Sequence, residues 1–274
     1  MNSLQTLIVE RKEDILYVYL NRPEVHNALN EQMIEELTSV FHTSSKDDSL
    51  RLIILKGKGK SFCAGADLNY MKNIAQQSKD DNYKDGQRLA KLFKTIYRCH
   101  VPTMAIVHGA AFGGANGLFA ACDVVLADEN TTFAFSEVKM GIGPATIMPF
   151  IIRRIGEYHA RDLMLTGRRF KGKEAEKTGL VTRSVTSGLM VETTKKYVGE
   201  FMSSAPKATR ATKQLIQHIV YDGVEFNELI DYTAGIIANL RADDEGQEGM
   251  AAFLDKRKPS WIKQTVRPEF PDMD

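Results

Sequence analysis

The turn of small residues Phe62-Cys63-Ala64-Gly65-Ala66-Asp67-Leu68 directly follows a predicted apolar strand at residues 52–55. A second small-residue turn, Gly113-Gly114-Ala115, follows a strand predicted at 104–107 and opens a helix. Short strands that alternate with helices through glycine-rich turns predict an α/β fold. Beyond about residue 187 the strand signals nearly vanish, so we expect an α/β region at 1–190 and a helical region at 191–274.

The two turns are candidate sites for binding negative charge. Backbone N–H groups at the start of a helix have no intrahelical acceptor, and the helix dipole favours an anion there. If both turns converge on one point, they form an oxyanion hole. The alternative is that the glycines serve close backbone packing, since a single glycine turn is a weak motif. No P-loop lysine and no GxGxxG pattern follows either turn, which argues against a nucleotide-phosphate site.

Glu137, within Phe133-Ala134-Phe135-Ser136-Glu137-Val138, is the candidate acid/base. If strand alternation continues to this position, Glu137 shares a face with the two phenylalanines. A carboxylate beside aromatic rings is desolvated, which raises its pKa and suits it to proton transfer near neutral pH. The alternative is an exposed glutamate at the end of a strand.

The composition excludes several classes of function. With 36 Lys and Arg against 35 Asp and Glu, the net charge is +1, which argues against nucleic acid or an anionic membrane as the main partner. No run of about 18 apolar residues predicts a membrane span, and the N-terminal segment has no targeting pattern. The three cysteines form no CxxC and the six histidines show no metal-ligand spacing. We therefore expect a cytoplasmic protein without a metal site.

Taken in order, these segments resemble the enoyl-CoA hydratase/isomerase (crotonase) family from about residue 7 to residue 261. Each motif is weak alone, but their joint order is specific. The matching segments are Leu20-Asn21-Arg22-Pro23, Asn27-Ala28-Leu29-Asn30, the 62–68 turn, Ala111-Phe112-Gly113-Gly114, Cys122-Asp123, Phe135-Ser136-Glu137-Val138 with Gly141, Leu165-Thr166-Gly167, Ala175, Gly179-Leu180-Val181, and Ala252-Phe253-Leu254-Asp255-Lys256-Arg257-Lys258.

The resemblance implies a spiral of ββα repeats followed by a helical region that assembles homotrimers or dimers of trimers. It implies an acyl-CoA thioester as substrate, with coenzyme A belonging to the substrate and no separate cofactor. The backbone N–H groups of Ala66 and Gly114 then form the oxyanion hole, and Glu137 is the catalytic carboxylate. The residues that it places near the substrate are Arg22, His26, Ala64, Asp67, Leu68, Asn116, Gly117 and Lys256, with Lys256, often from a neighbouring subunit, on the CoA phosphates. Because the net charge is only +1, we expect a few local cations such as Arg22 and Lys256 to meet those phosphates.

One position departs from the family pattern. Hydratases with two catalytic glutamates carry one of them three positions after the second glycine of the Gly-Gly pair, and here that position is Gly117, preceded by Asn116. Glu137 must then supply both proton movements of hydration, with Asn116 or a bound water assisting. Alternatively, Glu137 alone shifts a double bond from the 3,4 to the 2,3 position.

Two segments resemble bacterial hydratases of branched enoyl-CoA, of the methylglutaconyl-CoA type. They are Ala66-Asp67-Leu68-Asn69-Tyr70-Met71 and the stretch from Ser136 to Ile142, followed by Pro144-Ala145. We therefore expect reversible hydration of a short 2-enoyl-CoA, branched chains included, with the Δ3-Δ2 isomerase as the alternative. Acyl-CoA binding without turnover and RNA binding are two further alternatives, and the near-zero net charge argues against RNA.

Overall fold

The computed structural model describes residues 4–223 and 225–262. The chain divides into two compact units. The first comprises Thr103–Met190 and the described part of Met1–Cys99, and the second comprises His100–Pro102 and the described residues from Val191 onward. The catalytic and oligomerisation roles expected for residues 1–190 and 191–274 stay predictions.

The described residues of the first unit form nine strands and six α-helices, and the seventh α-helix begins among them. The strands are β1 (Leu7–Lys12), β2 (Ile15–Leu20), β3 (Leu52–Gly57), β4 (Thr103–Val107), β5 (Ala110–Phe112), β6 (Val124–Asp128), β7 (Thr132–Ala134), β8 (Arg169–Lys171) and β9 (Arg183–Val185). The helices are α1 (Glu31–Ser44), α2 (Leu68–Gln76), α3 (Lys79–Tyr97), α4 (Gly114–Ala120), α5 (Met148–Thr166), α6 (Gly172–Lys177) and α7 (Ser187–Ser203).

Two sheets organise this unit. The larger has the strand order β1-β2-β3-β4-β6-β9, in which β1 and β2 pair antiparallel and all later neighbours pair parallel. The smaller has the order β5-β7-β8. Every residue of β2 and β4 is buried, as expected for strands inside a sheet that is covered on both faces. The prediction of an α/β fold is confirmed.

Local signals account for most of these elements. Asn30 caps α1, because its side chain accepts a hydrogen bond from the backbone N–H of Met33 at 2.9 Å. The buried face of α1 includes Met33, Leu37 and Phe41, which recur every four residues as expected for one face of a helix. The polar stretch of residues 72–87 lies in α2, in α3 and in the two-residue connection between them, where Ser78 caps α3.

The second unit is helical, as predicted. Besides most of α7 it contains α8 (Pro206–Tyr221), α9 (Phe226–Ala242) and α10 (Asp244–Leu254). The carboxylate of Glu245 accepts hydrogen bonds from the backbone N–H groups of Lys207 and Ala208, both at 3.0 Å, and so caps α8. Large apolar side chains on these helices are exposed in the single chain, namely Ile216, Ile219, Val220, Phe226, Ile230, Tyr232, Ile237, Met250, Phe253 and Leu254.

Within the described ranges, no helix combines the length and the apolar character that crossing a membrane would require.

Candidate active site

Three chain segments that carry the candidate residues leave the large sheet at the same edge. The 62–68 turn follows β3, the Gly113-Gly114 turn follows β4 and the short β5, and the segment with Glu137 follows β6 and the short β7. These strands are neighbours in the order β3-β4-β6 and run parallel, so their carboxyl ends lie side by side. In an open parallel sheet this edge is where ligands bind.

A row of backbone hydrogen bonds joins the three segments. The N–H of Cys63 donates to the carbonyl of Ala110 at 3.1 Å, and the N–H of Phe112 donates back to the carbonyl of Cys63 at 3.3 Å. One residue further, the N–H of Gly113 donates to the carbonyl of Ala134 at 3.0 Å, next to the β5–β7 pairing. Hydrogen bonds therefore fix the spacing between the two small-residue turns and the glutamate segment.

The N–H of Ala66 points away from the neighbouring segment that contains Leu29. Ala66 forms an isolated parallel bridge with Leu29. In that bridge the N–H of Leu29 donates to Gly65 at 2.7 Å, and the N–H of Asp67 donates to Leu29 at 2.8 Å. Because the two neighbours of Ala66 make these bonds, its own N–H points to the opposite side. Among the described residues it has no protein acceptor.

Gly113 and Gly114 bring the second amide beside the first. Gly113 has φ 53° and ψ −124°, a conformation that residues with a side chain avoid. Gly114 is the first residue of α4, so its N–H lacks an intrahelical acceptor. A Cβ on Gly114 would lie 3.4 Å from the side chain of Leu29, which also pairs with Ala66. Leu29 therefore touches both turns, through its backbone at Ala66 and its side chain at Gly114, and its sequence position did not predict these contacts.

The carboxylate of Glu137 lies against this turn. A Cβ on Gly113 would be 3.3 Å from Oε1 of Glu137. Oε2 is buried and, in the part of the chain described, has no hydrogen-bond partner. Burial raises the pKa of Glu137 above the ordinary value of 4.5, and a hydrogen bond from its own backbone N–H opposes this only partly. The side chain is thus poised to gain or lose a proton nearer neutral pH than an exposed glutamate.

The strand-alternation argument for Glu137 is wrong. Strand β7 ends at Ala134, and Glu137 lies in a 3₁₀ turn at Ser136–Met140. Phe133 and Phe135 are fully buried in the core, whereas Glu137 is half-buried. The raised pKa therefore comes from the turn that places the carboxylate against Gly113, and no sheet face shared with the phenylalanines is involved.

Asn116 and Gly117 lie on α4 below the turn. Asn116 is fully buried, and its Nδ2 donates to the carbonyls of Gly113 at 2.9 Å and of Ala134 at 3.0 Å. This side chain braces the turn against β7. A Cβ on Gly117 would lie 2.6 Å from both Phe93 and Ile147. Apolar side chains therefore fill the space that a second glutamate would need, which the sequence alone did not indicate.

The residues expected around the substrate's CoA portion form a second group beside Ala66. The guanidinium of Arg22 donates to the carbonyl of Ala28 at 2.6 Å and to Asp67 at 2.9 Å. Asp67 also caps α2 by accepting from Asn69 and Tyr70.

The four other residues expected there are His26, Ala64, Leu68 and Lys256, and all but Ala64 are exposed. The N–H of Ala64 donates to the carbonyl of His26 at 2.9 Å, and the side chain of His26 is exposed. Leu68 is 75% exposed. Lys256 belongs to the second unit, where it is exposed and has φ 55° just after α10. The substrate-binding roles of all these residues stay predictions.

This arrangement combines two hydrogen-bond donors with one carboxylate. Free N–H groups fixed by the backbone polarise a carbonyl oxygen and stabilise the negative charge that develops on it. A carboxylate with a raised pKa transfers protons beside that carbonyl. In the described chain no three His, Cys, Asp or Glu side chains are grouped so that they could hold a metal ion.

Comparisons with known proteins agree with the motifs. A family model described as enoyl-CoA hydratase/isomerase matches residues 10–264. The 2,3-dehydroadipyl-CoA hydratase of Escherichia coli is 31% identical over 261 residues, covering 94% of this chain and 99% of that protein.

An isomerase and a solved structure are also similar. The peroxisomal Delta(3,5)-Delta(2,4)-dienoyl-CoA isomerase of Arabidopsis thaliana is 30% identical over 280 residues, covering 96% of this chain and 99% of that protein. The crystal structure of an enoyl-CoA hydratase from Shewanella pealeana has a TM-score of 0.89 at 34% identity, covering 94% of this chain and 96% of that one. The predicted crotonase-type fold is confirmed.

The burial of Glu137 predicts a pH-dependent cost in stability. Because its pKa is raised in the folded state, the associated stability is present below pH 4.5 and is lost as the pH rises through the raised pKa. Glu137→Gln carries no charge at any pH, so we expect its Tm at pH 8 to exceed the wild-type Tm by about 1–3 °C. The difference should shrink towards pH 4, as followed by circular dichroism.

The exposed Glu157, which pairs with Arg161, supplies the matched control. Glu157→Gln removes the same charge from the surface and should leave Tm nearly unchanged. A Glu137→Gln variant that melts at or below the wild-type temperature at pH 8 would contradict the burial argument.

The packing at Gly117 predicts a coupled stability effect. Gly117→Ala should lower the free energy of unfolding by about 1–3 kcal/mol, because the new methyl group overlaps Phe93 and Ile147. Phe93→Leu should relieve part of that cost, with a coupling of about 0.5 kcal/mol or more in a double-mutant cycle measured by urea unfolding. Gly86→Ala, in α3 with open space at its Cβ, is the control and should not destabilise. Strict additivity of the two changes would contradict the contact.

Proposed function

The chain belongs to the enoyl-CoA hydratase/isomerase family, and we propose that it adds water reversibly across the 2,3 double bond of a short 2-enoyl-CoA. The observation that carries this proposal is the half-buried carboxylate of Glu137 beside Gly113, together with two backbone amides that have no acceptor in the part of the chain that the structure describes. The named activity of the Escherichia coli relative supports hydration.

In the proposed reaction, the thioester oxygen accepts hydrogen bonds from the N–H groups of Ala66 and Gly114. Ionised Glu137 takes a proton from a water molecule as the water oxygen bonds to C3. The electrons of the double bond move onto the thioester oxygen, where the two amides stabilise the enolate. Glu137 then returns the proton to C2, so one carboxylate serves first as base and then as acid.

The acyl group and the assembly belong to the same proposal. We favour short and branched acyl chains of the methylglutaconyl type, because the segments around Asp67 and Glu137 resemble hydratases of such substrates. Lys256 is proposed to meet the CoA phosphates as a local cation, since a net charge of +1 offers no broad basic surface. The exposed apolar side chains of α8 to α10 support a homotrimer or a dimer of trimers. The three cysteines are buried and form no CxxC pattern, which is consistent with a cytoplasmic setting.

Double-bond isomerisation is the second candidate, and the packing around Gly117 favours it. Phe93 and Ile147 leave that side of the site without a second carboxylate to hold water. A single base suffices for a 3-enoyl-CoA, because Glu137 can remove a proton from C2 and return it to C4. The Arabidopsis thaliana relative is itself named as an isomerase.

A direct assay separates the two reactions. Purified protein is mixed with crotonyl-CoA, with methylglutaconyl-CoA and with a 3-enoyl-CoA, and the conjugated thioester absorbance is followed. Hydration removes that absorbance from the 2-enoyl substrates, whereas isomerisation creates it from the 3-enoyl substrate. We expect hydration, with Glu137→Gln lowering kcat by about 10²–10⁴-fold.

Glu157→Gln is the control in this assay and should retain wild-type kcat, because Glu157 is exposed in α5. If absorbance appears with the 3-enoyl substrate and no hydrated product forms, the proposed activity is isomerisation and not hydration. Full turnover by Glu137→Gln would contradict the role of this carboxylate in either reaction.

A further inference from the structure

Arg22 and Asp67 form a shielded ion pair directly beside the Ala66 turn. The guanidinium Nη2 lies 2.9 Å from the Asp67 carboxylate, and the two side chains are only 18% and 10% exposed. By contrast, Arg11 and Asp47 form a pair of the same length whose side chains are 43% and 35% exposed. A shielded pair is less screened by solvent, and removing one partner leaves the other charge uncompensated.

The guanidinium of Arg22 donates hydrogen bonds to both of the segments that form the bridge at Ala66. Its Nη1 donates to the carbonyl of Ala28, which precedes Leu29, and its Nη2 donates to Asp67, which follows Ala66. Leu29 and Ala66 are the bridge partners between these two contacts. The planar guanidinium, with its two donor groups, therefore sets the distance between the segment with Leu29 and the segment with Ala66.

The base of Arg22 is itself anchored. Its backbone N–H donates to Oδ1 of Asn27 at 2.8 Å, while Nδ2 of Asn27 donates to the carbonyls of Lys58 and Ser61, both at 2.8 Å. Asn27 is fully buried and has φ 55°, in the left-handed region. This loop therefore has little freedom to release the guanidinium towards another ligand.

The carboxylate of Asp67, the other member of the ion pair, accepts hydrogen bonds with both of its oxygens. Its Oδ1 caps α2 through the N–H groups of Asn69 and Tyr70, while its Oδ2 accepts from Arg22. Burial alone would raise the pKa of Asp67, but the hydrogen bonds from Arg22, Tyr70 and Asn69 outweigh it and hold the pKa below its usual value. Asp67 therefore keeps the charge that attracts Arg22.

We propose that Arg22 and Asp67 are positioning residues, which clamp the Leu29–Ala66 bridge and so aim the Ala66 N–H at the thioester oxygen. Arg22 is then committed to protein acceptors and is not a ligand of the CoA phosphates. The inference rests on the proposed function, in which Ala66 donates to that oxygen. A displaced donor weakens polarisation of the carbonyl, and a misplacement of about 1 Å can cost about 100-fold in rate.

Asp67→Asn tests the clamp without removing the helix cap, because an asparagine oxygen can still accept from Asn69 and Tyr70. The probe is butyryl-CoA labelled with ¹³C at the thioester carbonyl, a saturated compound that cannot be hydrated. We expect wild-type protein to lower the carbonyl stretching frequency of the bound probe, and Asp67→Asn to shift it back towards the free value. The Kd for butyryl-CoA should change by less than about threefold, because the phosphate contacts are retained.

Turnover gives a second readout. For Asp67→Asn and Arg22→Gln, kcat on crotonyl-CoA should fall about 10–100-fold with KM nearly unchanged. The same loss of kcat should occur with the crotonyl thioester of N-acetylcysteamine, which has no phosphates. Asp47→Asn, which breaks the exposed pair with Arg11, is the matched control and should behave as wild type.

Three results would overturn the proposal: an unchanged carbonyl frequency in Asp67→Asn, no frequency shift in the wild-type complex, or an Arg22→Gln defect confined to the KM of phosphate-bearing substrates. If Asp67→Asn unfolds, Asp67→Ser supplies a second uncharged cap for the same measurement. A wild-type protein that lowers the carbonyl frequency but hydrates no enoyl-CoA would refute the proposed hydration and leave the clamp intact.

Discussion

The row of backbone hydrogen bonds across the edge of the parallel sheet is the constraint on which the site depends. It joins Cys63 to Ala110, Phe112 back to Cys63, and Gly113 to Ala134. Together with the Leu29–Ala66 bridge and the start of α4 at Gly114, these bonds leave the N–H groups of Ala66 and Gly114 without acceptors among the described residues. Donors fixed in this way need no reorganisation when charge develops on a bound carbonyl, which is what makes them effective in catalysis.

The same arrangement of turns positions Glu137, and this position lowers the stability of the fold. Its carboxylate approaches a glycine whose backbone conformation and missing side chain both permit the contact. One carboxylate oxygen is buried without a partner among the described residues, which disfavours the ionised form and raises its pKa. Phe93 and Ile147 fill the space at Gly117, three residues along α4 from Gly114, where a second glutamate would otherwise stand. The fold therefore loses stability at the position where proton transfer needs a desolvated carboxylate.

Much of the fold was predictable because its signals are local. The Asn30 cap, the apolar spacing of α1 and the glycine turns after β3 and β4 each lie within a few neighbouring residues. The position of Glu137 was not predictable from alternation, because β7 stops at Ala134 and the chain turns into a 3₁₀ helix. The contacts of Phe93, Ile147 and Leu29, and the pairing of Arg22 with Asp67, join residues far apart in sequence. No local pattern reports such contacts, since they arise only when the strands assemble.

The central claim is that one half-buried carboxylate carries both proton transfers. The most direct test of it is the dependence of kcat/KM on pH. The account predicts a single break on the acid side of the profile with the 2-enoyl-CoA that is turned over, at a pH above the ordinary 4.5 of glutamate. Activity should fall below that break as Glu137 becomes protonated. An acid limb with two breaks, or a single break at or below 4.5, would contradict the account.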